Sequence, residues 1–468
     1  MICHLTSLSL LPLIEEQQTG LLTRTSRCLM SSNKSLISHS YFANSPWPVE
    51  CGGNTRSKLV SGQLNVVGRS PRVILKNNAQ WNVMFIHRAP GELYLTGTLP
   101  AFAGPAPYGW VQKIDPLNME VLENSPKLEC GDHVWCGSIA AHQNGALYNV
   151  NGRYLHSLDS KCQVMRERKL PVDQAHNGLL ILTDGSIATK DLRLTARSTL
   201  TRLDPNTLEE LHAPLLLPEP SMGRIAAQRT NGREYVYVPG KERIYRILIH
   251  PESFELDLYW QPTYRELTDT QGMAWDACIS DDYLWLMDNG DIETVRAIFN
   301  QYPNGRFAEP VPSLDWRDPA PWSGQQRLIR MSLDTGEIKC ITPFPASGGA
   351  IIAPPAYIPS KKLCVCWDSV NGGIAGVRSE ESSLEVGWLR PDVRPTMQPL
   401  VYEDANYFVI NHFDGESDHL LVMDIDSGDM VCDVDTGSPL ANGMFLTPGQ
   451  NNDVLYCSTV SYARISWD

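Results

Sequence analysis

The chain has 468 residues, with 39 Lys and Arg against 53 Asp and Glu, a formal net charge of −14. That balance excludes a nucleic-acid backbone or an anionic membrane surface as the main partner, because nothing offsets phosphate repulsion. Hydrophobic residues at 42% supply a sizeable core, and 34 Gly with 33 Pro supply turns in quantity, which excludes global disorder.

The N-terminal stretch reads differently from the rest. Leu5 to Ile14 is apolar but lacks a basic start and runs straight into Glu15-Glu16, a poor secretory signal. From Gln17 to Val49 there is no acidic residue, while Arg24, Arg27 and Lys34 are basic, so a transit-like leader is an alternative, as is a start at Met30. Residues 1–45 are therefore expected to be a disordered or leader segment, and 46–468 a single domain. No apolar run reaches membrane-spanning length. The 12 cysteines are scattered, with no Cys-x-x-Cys, and read as buried reduced thiols in a reducing, cytoplasmic compartment.

Two marks then repeat along the chain. The first is a polar residue, a glycine and an apolar strand: Trp135-Cys136-Gly137, His176-Asn177-Gly178, Ser221-Met222-Gly223, Thr270-Gln271-Gly272, Ser347-Gly348-Gly349 and Ala441-Asn442-Gly443. The second is a strand ending in an acidic turn, as in Ile114-Asp115-Pro116, Leu158-Asp159-Ser160, Leu203-Asp204-Pro205, Asp334-Thr335-Gly336 and Asp426-Ser427-Gly428. Asp accepts from its own turn amides while Pro or Gly sets the turn dihedrals. Both marks keep a period of about 45 residues, and each unit holds four short strands, which defines an all-β β-propeller.

The units predict blades over 81–128, 133–171, 174–218, 221–262, 270–345, 349–392 and 397–436, with a three-stranded unit at 441–468. Arg72-Val73-Ile74-Leu75-Lys76 is the missing outer strand, closing an eight-bladed ring from the N-terminus and removing the exposed edge. Seven blades is the alternative. The fifth unit is oversized, which places an insertion at about 290–325, rich in Pro and Trp and suited to a lid over one mouth.

Ser45-Pro46-Trp47-Pro48 with Gly52-Gly53-Asn54-Thr55-Arg56 resembles the opening of quinoprotein-like propellers built from PQQ-type repeats. Asp334-Thr335-Gly336-Glu337 and Asp426-Ser427-Gly428-Asp429 resemble the turn of the same repeats. The chain lacks the Trp that usually ends those repeats and the adjacent Cys-Cys pair common beside the cofactor, so PQQ is not expected. His176-Asn177-Gly178 and Ala441-Asn442-Gly443 are similar to the inner-strand entry of gluconolactonase and SMP-30-like propellers. That resemblance implies Asn177 and Asn442 as ligands of a divalent metal, calcium first, and a carboxylate such as Asp132 would join them to begin the shell of six to eight oxygens that calcium takes.

Residues ahead of each repeat glycine should line one mouth of the channel, where converging polar groups suit a small-molecule site. His176 is the candidate general base, with His133 beside Asp132 as a second. Gln271 is a candidate substrate contact, and Trp316 and Trp322 on the insertion would enclose the substrate. No Gly-x-Ser-x-Gly, His-Glu-x-x-His, Walker or dinucleotide-binding motif is present. The expected function is a small-molecule enzyme at the channel mouth, in the manner of metal-assisted hydrolysis or lactone opening. The alternatives are a non-catalytic propeller that binds a protein partner, and a metal-free catalyst orienting a reactive substrate under the lid.

Overall fold

A computed structural model describes residues 41–99, 107–265, 273–290, 324–351, 353–441, 443 and 445–468. The chain divides into compact units at residues 1–35 and 36–468, and every described residue belongs to the second. That unit is eight antiparallel four-stranded sheets, seven of them built from consecutive strands. We number them blades 1–8, spanning 81–124, 136–169, 176–216, 226–256, 274–341, 356–390, 400–438 and 447–467.

Blade 8 is completed out of sequence. Pro71–Asn77 pairs antiparallel with Ser461–Trp467, with Val73 opposite Ile465, and forms its outermost strand. The ring is thus closed by its own N-terminal strand, as the sequence predicts, and the blade count is eight. Among the described residues the only helical pieces are three-residue 3-10 turns.

Burial follows the radial position of each strand. The inner strands Cys136–Ala141 and His176–Ile181 are buried at every residue, whereas the outer strand Val164–Lys169 is almost wholly exposed. Blade faces pack on each other through apolar side chains, with Trp285 stacked 4.5 Å from Tyr357 across blades 5 and 6. An arginine on the third strand of four blades reaches the outer turn of the next. Arg202 Nη1 donates to His250 O at 2.5 Å, Arg246 Nη1 to Leu333 O at 2.6 Å, Arg330 Nη2 to Glu381 O at 2.8 Å, and Arg464 Nη1 to Leu117 O at 3.4 Å. The last of these spans the closure from blade 8 to blade 1.

The acidic turns behave as their composition requires. Asp115, Asp159 and Asp204 each accept two backbone amides of their own turn through Oδ1. In blade 7 that work falls to Asp424 rather than Asp426, and in blade 5 to the hydroxyl of Ser332. The repeat register is therefore two residues earlier in those blades than the Asp-x-Gly spelling suggests.

Segment 41–66 enters the ring. Ala141 N donates to Pro48 O, His87 N to Trp47 O, Ala227 N to Asn54 O, Ile279 N to Thr55 O and Val401 N to Lys58 O. These donors sit on the inner strands of blades 2, 1, 4 and 5 and on the short inner strand of blade 7, so the segment lies across the channel at the end where inner strands finish. Cys51, Arg56 and Lys58 adopt positive φ of 57–63°, a conformation costly for side-chain-bearing residues and held here by the surrounding strands.

Candidate functional site

At the other end the inner strands begin, and the repeat glycines explain how they converge. A Cβ on Gly137 would lie 2.3 Å from His176 O, and one on Gly223 would lie 1.6 Å from Trp275 O. At these two glycines a neighbouring inner strand passes too close for any side chain. The roots of the blade 5 insertion lie at this same end. Asp288 pairs with both Ala274 and Arg327, and Asn289 ties blade 5 to blade 6 by donating to Met273 O at 3.1 Å and accepting from Ile351 N at 2.8 Å.

His176 and Asn177 pair in register with Asp191 and Lys190 on the next strand of blade 3, and all four are fully buried. His176 Nδ1 donates to Gln174 O at 2.9 Å, which fixes the tautomer and leaves the Nε2 lone pair outward. Nε2 has no partner among the described residues. Burial depresses the imidazole to about 4, so it is neutral at pH 7. Lys190 Nζ donates to Asp191 O and Ser221 O, each at 2.9 Å, and burial lowers it to about 8. Asp191 is held by the amide of Thr199 and by Arg193 Nε at 2.7 Å. Asn177 is a cross-blade strut: its Oδ1 accepts from the Trp135 indole at 3.1 Å and its Nδ2 donates to Met222 O at 3.4 Å. Met222, Met273, Trp275, Leu192 and Trp135 form an apolar wall beside it.

Deeper in the channel lies a group of four charges. Arg56 meets Glu50 Oε1 at 2.6 Å and Asp276 Oδ2 at 3.0 Å, while Arg224 meets Glu50 Oε2 at 3.1 Å and Asp276 Oδ2 at 3.4 Å. All four side chains are at most 3% exposed, and their formal charges cancel, which is what permits burial. Arg224 also stands over the Phe445 ring, just before blade 8, at 5.1 Å, and its stem lies 3.5 Å from where a Cβ on Gly178 would be. It thereby touches blades 3 and 5, the approach to blade 8 and segment 41–66. Its Nη2 has no partner among the described residues.

His133 is buried, with Nε2 3.1 Å from Asp173 Oδ1, and Arg153 meets the same carboxylate at 3.0 Å. Asp132 is exposed. Gln271, Asn442, Trp316 and Trp322 lie outside the described residues. A calcium ion needs six to eight oxygen ligands. The described residues do not assemble them: the Asn177 amide is engaged at both ends, Asp132 faces solvent, and no three of His, Cys, Asp and Glu converge to hold a metal. Ten cysteines are described, all with free thiols and eight of them buried.

Sequence reading missed Arg224, Lys190, Asp191, Asp276, Glu50 and Arg56. The signal available was charge inside otherwise apolar strands, as in Ile187-Ala188-Thr189-Lys190-Asp191 and Ala274-Trp275-Asp276-Ala277-Cys278. A buried charge in such a run needs a partner that only the fold can supply.

No protein-family model matches this sequence, and no curated protein sequence does so. Solved structures do match it. The quinohemoprotein alcohol dehydrogenase ADHIIG of Pseudomonas putida HK5 aligns over 91% of this chain and 80% of its own, at 12% identity and TM-score 0.57. BamB of Moraxella catarrhalis aligns over 86% and 99%, at 12% identity and TM-score 0.53. The class these define is the quinoprotein-like propeller fold, and at such identity the likeness concerns fold alone. A gluconolactonase of Xanthomonas campestris aligns over 63% and 86%, at 14% identity and TM-score 0.35, too weak to argue from.

Proposed function

We propose that this protein binds and hydrolyses a small carbonyl compound, a lactone or an ester, at the mouth where the inner strands begin. One observation carries the reading. In a channel crossed by segment 41–66, two buried groups, His176 Nε2 at the start of an inner strand and Arg224 Nη2 deeper in, lack any protein partner among the described residues. Buried polar groups are otherwise satisfied in folded proteins, and such pairs ask for a ligand or water that supplies the missing bonds.

The two groups divide the work. His176 is neutral above its depressed pKa and accepts a proton at Nε2, so it removes the proton from a water attacking the carbonyl carbon. Arg224 donates to the oxygen that becomes negative in the tetrahedral intermediate. The acyl C–O bond then breaks, and the imidazolium returns its proton to the departing alkoxide. Water, lactone and hydroxy acid balance with no further reactant. The Asn177 amide holds the wall in place, and the mechanism routes no step through a metal.

The test is a screen of small lactones and esters against the full chain, with His176→Gln as the comparison. A substrate whose kcat falls about 100-fold or more in His176→Gln, with KM little changed, supports the assignment. Equal turnover by the variant, or no turnover of any probe, overturns it and favours the protein-binding propeller.

A further inference from the structure

We propose that the cleft at the junction of blades 3 and 4 is a second binding site, for a small molecule carrying a phosphate or carboxylate on an apolar body. The cleft measures about 580 Å³ and lies at the end of the ring opposite the His176 mouth, among the turns Thr183-Asp184 and Arg229 to Arg233. That volume falls in the range of small-ligand sites.

The ring contains its own control. The junction of blades 8 and 1 has a cleft at the equivalent place, of only about 170 Å³. There the Gln450 amide donates to His87 Nδ1 at 3.0 Å and to Ala89 O at 3.1 Å, occupying the space. On blade 1, Arg88 donates to Gly145 O at 2.9 Å and pairs with Glu92. At the blade 3–4 junction the bridging side chains are Glu234, which accepts from Thr183, and Arg202, which reaches His250 O, and the larger volume remains beside them. The corresponding arginine, Arg229, and its hairpin neighbour Arg233 are both exposed and make no hydrogen bond or ion pair among the described residues.

The acids nearby are already engaged. Asp184 pairs with Arg202 and accepts from Ser186, Glu234 accepts from the amide and hydroxyl of Thr183, and Glu255 meets His250 at 2.7 Å. Arg229 and Arg233 thus line the cleft without an ion pair among the described residues, and Glu234, opposite Arg229 in the hairpin register, spends its oxygens on Thr183. Guanidinium matches phosphate and carboxylate oxygens in pairs, and Leu248 and Ile249 give the wall an apolar part.

Isothermal titration of phenyl phosphate, benzoate and inorganic phosphate into the full chain tests this. The expected result is saturable binding of at least one aromatic anion, tighter than inorganic phosphate. It should weaken about tenfold or more in the Arg229→Gln/Arg233→Gln double variant and stay unchanged in His176→Gln. Whether phenyl phosphate or benzoate binds better identifies the head group. Both arginines are exposed, so an unchanged unfolding midpoint shows that the double variant is folded. No binding by any probe, binding indifferent to the double substitution, or binding lost in His176→Gln overturns the proposal.

Discussion

Where the inner strands finish, the channel is filled by segment 41–66, and the charges brought in by Glu50 and Arg56 meet Asp276 and Arg224. Where the strands begin, His176 is just as buried, yet its Nε2 meets no protein group among the described residues. The same eight sheets frame both ends. The difference is in what the chain supplies. At one end its own segment brings two charges that pair with Asp276 and Arg224, although Glu50 Oε2, Arg56 Nε and Arg224 Nη2 keep unmet hydrogen-bonding capacity. At the other end His176 Nε2 receives no protein group among the described residues.

The largest effect expected from breaking this contrast is at the filled end. Glu50→Ala leaves two buried guanidiniums sharing one carboxylate, and should cost about 3–5 kcal/mol in urea unfolding. Pairing Glu50→Gln with Arg56→Met should recover much of that loss, because removing both members of a buried pair is far less costly than removing one. A single-variant loss below about 1 kcal/mol would mean that the filled end is no better satisfied than the open one.

Next in size is the convergence of the strands. Gly223→Ala puts a Cβ against the Trp275 carbonyl and should cost about 3 kcal/mol. Gly178→Ala meets only side-chain carbons at 3.5 Å, so its cost is the positive φ alone, about 1 kcal/mol. A loss at Gly223 no larger than that at Gly178 would show that close approach of the Trp275 carbonyl is not what demands glycine there, since Gly223 has no positive φ.

The smallest effect sharpens the open end. The His176 imidazole is depressed in the folded chain to about 4, so the unfolded chain takes up its proton first as pH falls. Its stabilising contribution is complete above about pH 6.5 and is lost progressively down to about pH 4, up to about 3 kcal/mol. Burial lowers His87 and His142 in the same direction. His176→Gln should therefore lose less stability than the native chain between pH 7 and pH 4.5. Parallel curves would remove His176 from the account.

How much of this was legible in advance differs from feature to feature. The period of the glycines and acidic turns gave the blade borders, and the want of a fourth strand in the last unit pointed to Arg72 to Lys76 as the closing strand, because sheet geometry repeats locally. The start of the blade 3 inner strand was legible at His176, through its place before Gly178. Lys190 was not, because its pairing with Asn177 is a cross-strand register. Arg224 was passed over because a charge after a repeat glycine reads as surface until neighbouring strands enclose it. Asn177 looked like a ligand and is a strut, since the Trp135 indole reaches it from another blade.

By itself the sequence determined an all-β propeller ring, the strand that closes it and the acidic turns of blades 1 to 3, since strand period and turn chemistry act over a few residues. Only the tertiary structure decided that segment 41–66 enters the channel, which charges cancel there, and which buried groups stay open. Those outcomes depend on contacts between residues such as Arg56 and Asp276, 220 positions apart, whose meeting no local pattern encodes.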